Sequence, residues 1–211
     1  MPGLSRLLSR RPQPTASGDL HLALESLMAT VNEHDTYTGG HSLRVADTAA
    51  GIGRVMGLED ETLELLVRAG RMHDVGKIGI PDQILRKSGP LTEQELHLVR
   101  LHPILGASIL ARVPGCDELV PLVLYHHERW DGRGYPKGLA EGDIPLGSRV
   151  IFVADAYDAM TTERPYGEVL TPDQALAELT GSAGKQFDPA VVEATLKAIE
   201  GGLALESTIT L

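Results

Sequence analysis

Apolar positions recur at helical spacing through most of the chain. In "DLHLALESLMATVNEHD" (19–35), Leu20, Leu24, Leu27, Met28 and Val31 fall on one face, which predicts an amphipathic helix whose stripe belongs to a core. "HSLRVADTAAGIGRVMG" (41–57) and "EDETLELLVRAGRMHDVG" (59–76) repeat the pattern, the first closing on Gly57 as a C-terminal cap and the second running into Gly76. Thr92 with Glu95 three residues on makes a capping box that opens a helix ahead of His102, and Pro103 suits the first turn of the next helix, through Leu110. Helical patterns also cover 116–128, 147–160, 172–181 and 189–200, while "RWDGRGYPKGLAEGDIPLG" (129–147), rich in Gly and Pro, predicts a loop. No stretch alternates apolar and polar residues for long. The expected fold is therefore all-α, with a flexible lead over 1–18, one domain over 19–200 and a tail over 201–211.

Composition narrows the class without deciding the function. With 42% hydrophobic and 23% charged residues, the chain is an ordinary globular sequence with enough apolar side chains for one core. A formal net charge of −10 argues against a broad basic face for extended nucleic acid, so a phosphate ligand must be met locally by metal or by a few cations. The single cysteine, Cys116, excludes an internal disulfide and a cysteine-based zinc cage; it reads as a small apolar residue in a reducing compartment. No apolar run reaches the roughly 18 to 20 residues of a membrane span. The lead carries Arg6, Arg10 and Arg11 but lacks the apolar stretch of a secretory signal, and a cytoplasmic location is expected.

The histidines change the picture. His41, His73, His102, His126 and His127 fall at ends of the expected helices, and His73–Asp74 and His126–His127 are adjacent pairs. Imidazole and carboxylate are the ligands of borderline divalent metals. Neighbouring side chains on a helix diverge by about 100°, so one such pair can serve two metal positions, with Asp74 as a bridging carboxylate. Asp155 sits inside the otherwise apolar "VADAYDAM", where an uncompensated carboxylate is costly, so it too calls for a cation. Asp158, one turn further, reads as a local cap or hydrogen-bond partner. His21, His34 and His97 lack such company and read as solvated.

Taken together, "HSLRV", "MHDVGK", "HPILGASIL", "HHERWDGRGYP" and "VADAYDAMTTERPY" resemble the HD-GYP domains, a branch of the HD metal-dependent phosphohydrolases, in order and spacing from about Asn32 to Val191. The resemblance implies an HD-type helical bundle holding two or three metals, often iron or manganese, and a phosphodiesterase that opens cyclic di-GMP to linear pGpG or onward to GMP. Carried over, the metal ligands are His41, His73, Asp74, His102, His126, His127 and Asp155, with Asp74 bridging. Two cations so held lower the pKa of a shared water, present it as hydroxide and neutralise charge developing at phosphorus.

Lys77, one turn past His73, is a candidate to bind the phosphate or protonate the leaving oxygen, and Arg164 to clamp a phosphate through its planar fork. Gly134, Tyr135 and Pro136 are candidates for a ligand-side loop in which glycine permits the bend, tyrosine offers a stacking face and proline stiffens the exit, and they fit an ordinary turn as well. Glu128 and Asp131 are candidates to orient a histidine N–H, and Asp131 fits a turn equally well. Two departures limit the likeness. Tyr37 stands where relatives with a third metal carry glutamate, which favours two metals. Gly167 stands where a basic residue commonly follows "RPY", with Lys185 in "GKQFDP" as a candidate compensation. A low-turnover cyclic di-GMP sensor or interaction module, and a general HD nucleotide phosphohydrolase, remain as alternatives; the full ligand set and the intact GYP loop argue against them. Either a separate protein partner docking on the helices and the lead regulates the chain or the chain stands alone, and a homodimer is compatible with the sequence.

Overall fold

A computed structural model describes residues 16–34, 38–163 and 169–202. Ten α-helices follow one another among them: α1 (Ala16–His34), α2 (Thr38–Val55), α3 (Asp60–Met72), α4 (Asp82–Leu85), α5 (Glu93–Val99), α6 (His102–Leu110), α7 (Leu119–Leu124), α8 (Leu146–Thr161), α9 (Pro172–Gly181) and α10 (Pro189–Glu200). Short 3₁₀ turns occupy Val75–Gly79 and Glu141–Asp143, and no strand occurs among the described residues beyond one isolated bridge between Ala183 and Phe187. The all-α expectation holds. No helix among the described residues is long and apolar enough to cross a membrane.

Helix α2 is the centre of the bundle, packed against α3, α8 and α10. Its buried face is mostly small, with Ala46, Ala49 and Ala50 beside Val45 and Ile52, which lets neighbouring backbones approach closely. Helix α8 threads Val150, Ile151, Val153 and Ala154 through the same core. On α1, Leu24 and Met28 are buried and Leu20 and Leu27 pack partly against them, as the stripe predicts; the side chain of Val31 lies outside the described residues. Gly57 closes α2 at φ 71°, with the Leu58 N–H on the Gly53 carbonyl. The capping box of Thr92 and Glu95 opens α5 as expected.

Two expected helices are shorter than their apolar patterns. The α-helix predicted to reach Gly76 ends at Met72, and the one predicted over 116–128 is helical only over Leu119–Leu124. At their C-terminal ends the reason is local and chemical. The His73 ring donates to the Gly70 carbonyl at 2.7 Å and the His126 ring to the Val123 carbonyl at 2.6 Å, taking acceptors that a continuing helix would need.

The turn after α3 is fixed by Gly76. A Cβ there would run into the His102 carbonyl and the Gly106 N–H of α6, so only glycine lets the two segments touch. Gly76→Ala is expected to cost about 3 kcal/mol by overpacking against backbone. That corresponds to a fall in Tm of roughly 10 °C for a domain of this size, checked by thermal denaturation followed by circular dichroism.

Candidate metal centre

Four of the five histidines of the centre are oriented by the far ring nitrogen. His73, His102 and His126 sit where helices end, and Nδ1 of each meets a carbonyl three residues back: Gly70 at 2.7 Å, Val99 at 2.8 Å and Val123 at 2.6 Å. A carbonyl carries no proton, so each Nδ1 must be the donor and each Nε2 is left with a lone pair facing inward. His41 follows the same logic with a carboxylate, its Nδ1 lying 2.6 Å from Asp158 Oδ2. Fixing the remote nitrogen in this way is how metal-ligating imidazoles are held.

Those inward atoms gather into two triads, His41, His73 and Asp155 on one side and His102, His126 and His127 on the other, with the atoms of each triad within 4.8 Å of one another. Asp74 lies between them in the bridge region of backbone space, at φ −96° and ψ 5°. Its Oδ1 is 3.4 Å from His102 Nε2, while its Oδ2 is 3.4 Å from His73 Nε2 and 3.9 Å from His41 Nε2. One carboxylate thus offers an oxygen to each triad. The structure brings all seven residues expected as ligands into one place.

The electrostatics fit a cation. Burial lowers the pKa of His102, of His126 and of His127, the last to about 3, so these rings are neutral at physiological pH. His102 Nε2 and His126 Nε2 nevertheless face each other at 3.3 Å. With both Nδ1 atoms carrying the protons, that approach sets two lone pairs together and asks for an electrophile. His73 Nε2 is buried with no hydrogen-bond partner, a state that costs free energy unless something binds there. At His41 burial favours the neutral ring, but Asp155 and Asp158 override it and raise the pKa to about 9. A divalent cation in that triad would take the place of the proton. Burial also pushes the Asp74 and Asp155 carboxyls up; Lys77, His73 and His102 around Asp74, and His41 and His73 around Asp155, more than reverse this and hold both well below the usual carboxylate range. Nitrogen and oxygen donors without thiolate suit iron, manganese or zinc.

Around this centre the other candidates take distinct places. Lys77 Nζ lies 2.7 Å from Asp74 Oδ2. Tyr135 stacks on His127, with ring centres 4.9 Å apart and planes at 29°. Gly134 is tucked against the backbone of His127, Glu128 and Arg129, where a Cβ has no room, and Pro136 follows Tyr135 in the same loop. Lys185 is exposed, and its carbonyl accepts from the Asp131 N–H at 2.8 Å. Arg164, Gly167 and Tyr37 lie outside the described residues. His97 is exposed, as expected.

Glu128 does not orient a histidine. Buried at 1% exposure, its carboxylate accepts the backbone N–H groups of Lys137, Gly138 and Leu139 and so staples the GYP loop in place. Asp131 takes the turn role, pairing with Arg129 and accepting the Arg133 N–H. Asp158 matters more than the sequence suggested: beside His41 it accepts Arg44 Nε at 2.5 Å and the Thr162 hydroxyl at 3.3 Å. The one available sequence signal was its place one turn from Asp155 in an apolar helix; its pairing with Arg44 and His41 arises only on folding.

Comparison with known proteins supplies the family. The family model described as HD domain matches residues 25–191. The chain is similar to a "Cyclic di-GMP phosphodiesterase" of Thermotoga maritima, with 40% identity over 82% of this chain and 48% of the relative. It is similar as well to the "Cyclic di-GMP phosphodiesterase response regulator RpfG" of Xanthomonas campestris pv. campestris, with 37% identity over 92% of this chain and 57% of the relative. The chain thus spans about half the length of these relatives. Among solved structures, a cyclic GMP-AMP specific phosphodiesterase of V. cholerae shares the fold at a TM-score of 0.67, with 18% identity over 88% of this chain and 50% of that one.

Proposed function

The chain belongs to the HD domain family, and from that premise we propose that it is a metal-dependent cyclic di-GMP phosphodiesterase working through two divalent cations. The observation that carries the reading is the pair of triads with one Asp74 oxygen turned toward each. The inward Nε2 atoms, Asp155 and the two oxygens of Asp74 would hold the cations, with iron or manganese as the metals to test first. Bound there, the cations supply Lewis-acid stabilisation of charge at phosphorus and make a nucleophile available from water near neutral pH.

Hydrolysis forms one P–O bond from water, breaks one ester P–O bond and returns a proton to the leaving oxygen. Lys77, 2.7 Å from Asp74, stands where an ammonium can hold a phosphate oxygen or deliver that proton. Tyr135, stacked on His127 and placed by the loop that Glu128 staples, forms an aromatic wall beside the centre that the substrate would pack against. The burial of His41, His73, Asp74, His102 and His126 keeps the local dielectric low, which strengthens each of these interactions.

The test is a product assay with protein purified anaerobically and loaded with iron or manganese. Cyclic di-GMP is expected to disappear with appearance of a linear dinucleotide, and a chelator is expected to abolish the conversion. Turnover confined to a generic phosphate monoester would transfer the chain to the general nucleotide phosphohydrolases. Binding of cyclic di-GMP without conversion under either metal would make it a sensor.

A further inference from the structure

We propose that Arg100 binds the second phosphate of the cyclic dinucleotide, the one not held at the metal centre; the inference rests on the function proposed above. Arg100 caps the C-terminus of α5, its N–H on the Leu96 carbonyl, two residues ahead of His102. The last residue of that helix, Val99, supplies the carbonyl that orients the His102 ring. One helix end therefore fixes both a ligand of the centre and the root of the arginine. The Arg100 guanidinium carbon lies 5.6 Å from the centre of the Tyr135 ring, and that ring stacks on His127. A continuous line of contacts thus leads from a triad through Tyr135 to an exposed cation.

Four other described cations are committed to carboxylates. Lys77 is on Asp74, Arg44 on Asp158, Arg129 on Asp131 and Arg149 on Asp188. Among the described residues Arg100 has no carboxylate partner. An arginine lying on an aromatic face uses that face for the contact and keeps its N–H donors, which lie in the guanidinium plane, available for the paired oxygens of a phosphate. The ring also limits the rotamers of the side chain, so less freedom is lost when an anion arrives. A cyclic dinucleotide carries two phosphodiesters. The centre engages one, and the other keeps its negative charge beside a chain of formal net charge −10, where a local cation is required.

The experiment compares metal-loaded wild type, Arg100→Ala and Arg100→Lys on cyclic di-GMP and on bis(p-nitrophenyl) phosphate, which carries a single phosphodiester. Arg100→Ala is expected to raise KM for cyclic di-GMP by roughly tenfold or more, the scale of one charge-assisted hydrogen bond, with a smaller effect on kcat. The ratio of kcat/KM for cyclic di-GMP to that for the simple diester is expected to fall by the same factor. Arg100→Lys should recover part of the loss, since it keeps the charge but not the fork. An unchanged KM for cyclic di-GMP, or an equal loss on both substrates, would overturn the assignment and leave the phosphodiesterase reading standing. A loss for cyclic di-GMP with undiminished competition by cyclic di-AMP would mean that Arg100 reads guanine, and would also overturn it. No turnover of cyclic di-GMP by wild type would sink the proposed function itself, and this assignment with it.

Discussion

Replacing Asp74 by alanine is expected to lower kcat/KM for cyclic di-GMP by roughly a thousandfold or more, the several kcal/mol that a metal pair supplies to a transition state. The expectation follows from its place. Asp74 faces His102 with one oxygen and His73 with the other, so its removal takes a ligand from both triads at once. It also takes away a carboxylate paired with Lys77 at 2.7 Å. Metal content should fall together with activity, measured as moles of iron or manganese per mole of protein. A thermal shift supplies a readout independent of turnover. At a hundredfold excess over Kd, a cation bound only to the folded state adds about 2.7 kcal/mol of stability, which for a domain of this size raises Tm by roughly 5 to 10 °C. Wild type should show that rise on adding manganese and Asp74→Ala should not. If the variant keeps two metals per chain and the full thermal shift, Asp74 is not the bridge.

That such a residue stands out in the sequence reflects which physics is local. Helical periodicity reports burial of one face, and it located the helices around Leu24 and Met28 and the buried run of α8. It overran the ends at Met72 and Leu124 because periodicity is blind to a side chain competing for a backbone carbonyl, as the His73 and His126 rings do. That seven distant residues would converge is expected from the resemblance of the five motifs, with adjacent His–Asp and His–His pairs and a carboxylate in an apolar run as the local signals. Partners brought together only by folding were not legible. Glu128 looked like a companion of the neighbouring histidines, yet its carboxylate reaches forward to Lys137, Gly138 and Leu139. Arg100 carries no motif at all, and its contact with Tyr135 arises only when α5 meets the GYP loop. Asp158 meets His41 across more than a hundred residues of sequence, a distance over which spacing conveys nothing.

Asp158 carries the second large effect. With a relative exposure of 3% it accepts from the His41 ring, from two nitrogens of Arg44 and from the Thr162 hydroxyl. Asp158→Ala removes the acceptor that keeps the His41 proton on Nδ1, and so lets the ring turn or change tautomer and withdraw its Nε2 from the triad. Loss of such an orienting partner typically lowers metal affinity by about 10- to 100-fold, and activity at limiting metal should fall by a similar factor. Arg44 is 44% exposed, so water compensates it when the carboxylate goes, and most of the effect should appear in metal binding rather than in folding. Two observations separate orientation from simple scaffolding. Raising the manganese concentration should restore kcat to Asp158→Ala, because a ligand that is misoriented part of the time still binds when the cation is abundant. Asp158→Asn, which keeps one acceptor oxygen for the His41 N–H, should retain more affinity than the alanine variant. A loss of activity that excess metal cannot recover, with metal affinity equal to wild type, would place the role of Asp158 elsewhere than in aiming His41.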